Sequence, residues 1–210
     1  MKTHKKSFAG SRPVFTVAPV VEIGGFTIDK TAQNLVVGDV IPEGTLVVHD
    51  ETTRKVVLVK TGKVKAIDGA NAKIVTLESN DFVNPNFAVG DKVAKAAGGA
   101  YAEAITINAI SDTDDGYVVT LSAAISGLAV GDVIGEVVKD GSNNSAFRVG
   151  TALTISPIEV KQEEVVVDIT ANTGNGSCFI RRILPIHAAQ LSSNGMFLTA
   201  NPSIRFTNSK

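Results

Sequence analysis

The 210-residue chain has no tryptophan, a single cysteine and only 5% aromatic residues. One cysteine, Cys178, cannot form a disulfide within the chain, so folding does not depend on an oxidising compartment. Sugar-binding surfaces usually present aromatic faces, and the tyrosines here are only Tyr101 and Tyr117. These shortages argue against a secreted disulfide scaffold and against an aromatic sugar-binding platform.

A charge bias and long apolar runs are also missing. Twenty basic and 21 acidic residues give a net charge of -1, which provides no general attraction to nucleic acid or to an anionic membrane. No apolar run reaches the roughly 18 residues of a membrane span. The segment after the basic start, 13–21, is short and interrupted by proline, so we do not interpret it as a signal peptide. We expect neither a nucleic-acid nor a membrane partner.

The residues that dominate the chain favour short strands. Val, Ile, Ala and Gly are abundant, and turn residues separate the apolar stretches. We predict an all-β fold, an antiparallel barrel or sandwich of short strands. After Phe26–Ile28, the expected strands are 35–41, 45–50, 55–67, 72–78, 91–95, 102–110, 116–122, 132–138, 146–155, 158–170, 177–184 and 203–207.

One short helix is expected near the C-terminus. The segment 186–191 follows Pro185, a favourable first helical position, and Asn194-Gly195 provides a stop. The segment 98–104 has helix-forming residues but follows a glycine pair and is brief, so we expect a loop leading into a strand.

A Val-Gly-Asp turn occurs three times, with glycines at 38, 90 and 131. Because the spacings are unequal, the copies do not indicate a solenoid. We predict a recurring β-turn in which glycine adopts a conformation that other residues avoid and aspartate bonds back to nearby amides. Biotinyl and lipoyl domains use a related turn, but they need an exposed lysine at a hairpin tip, and no lysine here has that context.

Two Asp-Gly pairs predict tight hairpins, at Asp68-Gly69 and Asp115-Gly116. In the basic strand before the first of them, we expect three lysines to face solvent while Val64 and Ile67 cover the core. These lysines are Lys60, Lys63 and Lys65.

A search for chemistry gives no catalytic, metal or cofactor site. Three aspartates before Gly116 lack the ligand spacing and the later Glu of a calcium loop; they are Asp112, Asp114 and Asp115. The three histidines are scattered and do not form a zinc pattern with one cysteine. Cys178 and His187 would need an elbow to act as nucleophile and base, and the sequence around Cys178 indicates a buried strand. We therefore expect no enzyme.

Two basic features are candidates for contacts. The N-terminal arm, 1–20, carries Lys2, Lys5, Lys6 and Arg12, and the first acidic residue is Glu22. Such an arm is either a frayed terminus or a strap on an acidic partner surface. Arg181 and Arg182 end an apolar strand and are either a solvated edge or an interface anchor.

Two blocks of the sequence resemble head-fibre and capsid-decoration proteins of tailed bacteriophages. The first is the run 35–47 (LVVGDVIPEGTLV), followed by the lysine-rich strand 54–67 and the later Gly-Asp turns. The second is the pattern 176–185 (GSCFIRRILP), then a short helix, then Ile204-Arg205-Phe206. The resemblance implies a structural protein added outside an icosahedral shell, often as a trimer. Since no heptad run or long repetitive shaft is present, a compact decoration protein or the base of another fibre fits better.

The resemblance also supplies the expected partners. They are the major capsid protein and further copies of the chain, with a homotrimer favoured, on the capsid surface of a virion assembled in the bacterial cytoplasm. The main β domain is expected over 21–150, and a C-terminal segment with the short helix, 151–210, would supply oligomer or capsid contacts. The alternative is a carbohydrate- or host-surface-binding β module of the adhesin type.

Overall fold

The computed structural model describes residues 13–22, 25–80, 82–113 and 116–208. Within them the chain forms short strands, most of them in two sheets, and the prediction of an all-β fold is confirmed. The first sheet contains β1 (Phe26–Ile28), β3 (Leu46–Asp50), β4 (Lys55–Leu58), β12 (Ala152–Thr154), β14 (Val166–Val167) and β15 (Ile169–Thr170). The second contains β5 (Thr61–Ile67), β6 (Ile74–Leu77), β7 (Lys92–Ala94), β8 (Ile105–Thr113), β9 (Gly116–Leu121), β10 (Val133–Lys139) and β11 (Ser145–Phe147).

Two smaller strand pairs complete the fold. The first is antiparallel and joins β2 (Val40–Ile41) to β13 (Ile158–Glu159), and the second is parallel and joins β16 (Cys178–Phe179) to β17 (Phe206–Thr207). The first pair joins segments from opposite halves of the chain, whereas both strands of the second pair belong to the C-terminal region.

The second sheet closes into a barrel. Its strand order is β11-β10-β5-β6-β9-β8-β7, and β10 also pairs with β7. Gly135 of β10 is the closing point, because it lies opposite Thr61 on β5 and Ala94 on β7. All these pairings are antiparallel. Light side chains fill the interior: Val64, Val75, Leu77, Phe87, Val93, Ile107, Tyr117, Val119, Leu121 and Ile134.

The first sheet also returns on itself. Its order is β14-β1-β4-β3-β12-β15, and only Asp168 separates β14 from β15. The two edges of this sheet are therefore successive halves of one interrupted strand. Strands from both sides of residue 150 share this sheet, since β12 pairs with β3 and β14 with β1. Its core includes Phe26, Ile41, Val47, Leu58, Val167 and Ile169.

The three Val-Gly-Asp turns form as predicted. Their glycines have φ angles of +90°, +95° and +93°, and in each turn the aspartate N–H donates to the carbonyl three residues earlier at 3.1–3.2 Å. Asp91 accepts from the Ala88 N–H at 2.8 Å, and Asp132 accepts from the Ala129 N–H at 2.7 Å. The valine before each glycine stays exposed.

Helical structure is limited to single 3-10 turns among the described residues: Tyr101–Glu103, Ile180–Arg182 and Ala188–Gln190. The predicted C-terminal helix is thus one such turn, and extended residues flank it on both sides. The expected strand over 177–184 ends at Phe179, because the chain turns at Ile180. The expected loop before Ile105 contains the Tyr101–Glu103 turn. No helix in the described ranges has the length and hydrophobicity needed to cross a membrane.

Candidate contact surface and buried charge cluster

The root of the N-terminal arm is held in the core. Val14 and Phe15 are buried with Cys178, Ile183, Ile204 and Phe206 in a third apolar cluster. Backbone bonds join this root to β16: the Phe179 N–H donates to Val14 (2.9 Å), and the Thr16 N–H donates to Ser177 (2.9 Å). The arm therefore begins at a fixed point on the surface, immediately before Pro13.

The arginine pair lies beside this point. Arg182 donates to the carbonyl of Pro13 at 2.7 Å, and its guanidinium lies 4.3 Å from the centre of the Phe179 ring. Arg181, its neighbour in the 3-10 turn, is exposed. The fold thus places Arg182 in contact with Pro13, which lies 169 positions earlier in the sequence and directly follows the arm cations.

The predicted contact residues on the arm, Lys2, Lys5, Lys6 and Arg12, lie outside the described residues. Arg12 directly precedes Pro13 in the sequence, and Pro13 is the described residue that Arg182 contacts. Sequence reasoning treated Val14 and Phe15 as part of the arm, 1–20. The signal that could have corrected this is their apolar character next to the β-forming stretch that follows.

Exposed valines continue from the arm root. Val17, Val20 and Val21 are each about half exposed, and Val166 on the adjoining β14 is 67% exposed. The segment that carries the first three runs along the chain 169–177. The root of the arm (Pro13 to Phe15), an exposed arginine and the exposed valines thus lie close together, and we call this region the arm-side surface.

Cys178 and His187, which the sequence did not favour as a nucleophile and base, each have other surroundings in the fold. Cys178 is fully buried in the third cluster, and burial raises the pKa of its thiol. His187 uses both ring nitrogens elsewhere, with Nε2 2.9 Å from the Lys95 carbonyl and Nδ1 accepting from the Ala189 N–H. In the described ranges no three His, Cys, Asp or Glu side chains group as metal ligands would. Asp114 and Asp115 lie outside those ranges.

Both tyrosines are engaged within the fold. Tyr117 is buried inside the barrel, where its hydroxyl donates to the Phe87 carbonyl at 2.9 Å. Tyr101 is half-buried, and the Lys92 ammonium lies 4.6 Å from its ring centre. Neither ring offers an open face of the kind that stacks on a sugar.

A buried charge cluster lies where the two sheets meet, and it corrects the prediction that Lys60 faces solvent. Lys60 Nζ is 2.7 Å from Asp91 Oδ2, and both side chains are completely inaccessible. Asn34 contacts both partners, since its carbonyl accepts from Lys60 and its side-chain amide donates to Asp91 Oδ1 at 3.0 Å. By contrast Lys65 is exposed and Lys63 is partly exposed.

Glu136 on β10 is the third member of this cluster. Desolvation raises the pKa of its carboxyl, whereas the charges of Lys60 and Arg148 oppose that increase. Its Oε2 atom is buried without a hydrogen-bond partner in the described part of the chain, and the nearest cation is Arg148 Nε at 3.5 Å. Asp91 and Glu136 both border a polar cleft of about 480 Å³ between the sheets.

Alternation along the strand could not have identified Lys60, because buried residues precede it on both faces: Val56 and Leu58 on one, Val59 on the other. Asp91 was predicted only as a turn residue, which it is. Nothing in the sequence indicated that Glu136, 45 positions later, would approach both.

Comparison with known proteins gives no relatives: no family model, no curated protein and no solved structure matches the chain. The arm-side surface and the charge cluster are therefore interpreted from their own chemistry.

Proposed function

We propose that the chain is a structural virion protein that binds the outer surface of a tailed-phage capsid as a decoration or head-fibre protein. The resemblance of the blocks 35–47 and 176–185 motivates this function. The observation that carries it is the arm-side surface, because a root anchored in the core beside the arginine pair would attach the basic residues 2–12 firmly for binding to an acidic partner. The partner in this proposal is the major capsid protein, and the site of action is the capsid surface of a virion made in the bacterial cytoplasm.

In such binding, the free-energy contributions of the individual arm cations add up, and salt weakens each of them. An exposed ion pair contributes about 0.2–1 kcal/mol, and salt at physiological strength screens charges beyond about 8 Å. Four arm cations at about 0.5 kcal/mol each would add about 2 kcal/mol, or roughly 30-fold in affinity. Docking also stabilises each folded subunit by mass action.

Self-association belongs to the same proposal, with a homotrimer favoured. The exposed valines of the arm-side surface offer apolar area that a second copy or the shell can cover.

Cosedimentation with purified shells at moderate salt tests the capsid contact. A variant lacking residues 2–12 keeps the buried Val14 and Phe15 and should bind roughly 30-fold more weakly. The matched control replaces two exposed lysines on the barrel, Lys65→Glu with Lys73→Glu, and should bind as the full chain does. Equal cosedimentation of the truncated and full-length chains would exclude the arm as a capsid contact.

The arginine pair is tested separately, because its members differ in role. Arg182→Ala removes the bond to Pro13 and the contact with Phe179, so it should loosen the arm root. Arg181→Ala should weaken shell binding or the oligomer. If light scattering and cosedimentation are unchanged in both variants, the pair makes no intermolecular contact.

The adhesin alternative predicts binding to glycans. Because Tyr101 and Tyr117 are both engaged within the fold, no observation on the described residues favours it over capsid binding. A glycan array probed with the full chain should be negative, and a selective signal would replace the capsid proposal.

A further inference from the structure

The buried pair Lys60 and Asp91 differs from other close ion pairs in the described ranges. Lys95 and Asp132 are equally close, at 2.7 Å, but their side chains are 40% and 26% exposed. Lys60 and Asp91 are both at 0%. Removing two charges from water is costly, and this pair holds an amine nitrogen 2.7 Å from a carboxyl oxygen with both side chains shielded from solvent.

A third carboxyl lies next to this pair. The Glu136 N–H donates to the Lys60 carbonyl at 2.9 Å, and Glu136 pairs with Val93 of β7, the strand that begins immediately after Asp91. Its side chain is 8% exposed, and Oε2 has no hydrogen-bond partner in the described part of the chain. Glu136 therefore has a carboxylate oxygen without a hydrogen bond, 3.5 Å from Arg148, and this oxygen can accept and return a proton.

We propose that Lys60 and Asp91 join in an intramolecular amide bond, with Glu136 as the proton carrier. The proton of the Lys60 ammonium first passes along the 2.7 Å contact to Asp91 Oδ2. The Nζ lone pair then forms a bond to Asp91 Cγ while Glu136 takes a proton from Nζ. Glu136 returns that proton to the Oδ2 hydroxyl, the Cγ–Oδ2 bond breaks and one water leaves. No oxidation occurs, and the carboxyl of Glu136 ends in its starting state.

The surroundings of the pair already match the product. Asp91 Oδ1 remains as the amide oxygen and keeps the hydrogen bond from the Asn34 side chain. The amide N–H keeps the Asn34 carbonyl as its acceptor. The Ala88 N–H that now donates to Oδ2 can donate to the released water, and the polar cleft that Glu136 borders lies beside the cluster.

Peptide mapping of the full-length protein tests the bond. Trypsin does not cleave after an acylated lysine, so the crosslinked protein should give a branched peptide that joins residues 56–63 to residues 74–92. Its mass should be one water below the sum of the two linear peptides. The intact denatured chain should show the same deficit of one water.

The exposed pairs Lys63–Glu78 and Lys95–Asp132 serve as internal controls, since water keeps them charged, and no branched peptide should join either of them. Asp91→Ala should abolish the branched peptide. Glu136→Gln keeps the shape of the side chain and should lower the crosslinked fraction by roughly tenfold or more at equal times after synthesis, because it cannot carry the proton.

Two results would overturn the proposal. If the wild-type protein gives only the linear peptides 56–60 and 61–63 and the mass of the uncrosslinked chain, the bond does not form. If Glu136→Gln crosslinks as fast as wild type, Glu136 is not the proton carrier. Both readouts are independent of capsid binding.

Discussion

Replacing Phe15 tests whether the arm is truly anchored in the core. Phe15 is 7% exposed, forms a bridge to Cys178 and packs in the third apolar cluster. Phe15→Ala leaves a cavity that the surrounding strands fill only in part, and such changes cost about 3–5 kcal/mol. The anchoring predicts a cost in this range, whereas a loosely attached arm predicts almost none.

The corresponding change in melting temperature follows from the size of the chain. For 210 residues, an unfolding entropy of about 2.1 cal/mol/K per residue corresponds to about 0.44 kcal/mol for each degree. The loss of about 3–5 kcal/mol therefore predicts a melting temperature lower by about 7–11 °C. Scanning calorimetry of both proteins at one concentration measures it.

Val17→Ala is the matched control, because Val17 lies two residues further along the same segment and is 51% exposed. Substitutions at such surface sites usually change stability by less than about 0.5 kcal/mol, so its melting temperature should move by about 1 °C. If Phe15→Ala shifts the melting temperature no more than Val17→Ala does, the arm root contributes nothing to the folded core.

Two further predictions concern a glycine and a carboxylate. Gly44 has φ +76°, and an added Cβ would lie 2.2 Å from Ile183 Cγ2, so Gly44→Ala should destabilise the fold by about 2–3 kcal/mol. Gly69→Ala, where the space is open, should be neutral in the same denaturant titration, and equal costs would contradict the clash. The pKa of Asp132 is lowered by the hydrogen bonds from Lys95 and the Ala129 N–H. Its stabilisation is therefore present above the ordinary value of 3.8 and is lost as pH falls. Thermal melts of Asp132→Asn should lie below wild type near neutral pH and converge with it in acid; a gap that persists in acid would contradict this.

Local chemistry made much of the fold predictable. The φ angles that only glycine tolerates and the short reach of aspartate fix the Val-Gly-Asp turns, so those turns follow from the sequence alone. The chain also reverses after Asp68, but residues 68–73 form a longer loop between β5 and β6, and Gly69 does not have the positive φ of the predicted tight turn. The closure of each sheet does not follow from the sequence alone, because it depends on partners such as β10 and β7 that are about 40 positions apart. The arm root was also missed, since strand β16 that holds it is at the opposite end of the chain.

Lys60 shows why the charge cluster escaped prediction. Alternation separates core from solvent only when one face of a strand is polar, and the run before Lys60, Val56-Val57-Leu58-Val59, is apolar on both faces. The position of Lys60 in the run therefore did not show whether its side chain is buried. Its charge led to the prediction that it faces solvent. The long side chain can be buried only because Asp91 and Asn34 receive its ammonium, and both come from other parts of the chain. A buried lysine thus depends on partners that are distant in sequence. The reaction proposed for Lys60 requires such partners, and the more exposed lysines of β5, Lys63 and Lys65, are not buried in this way.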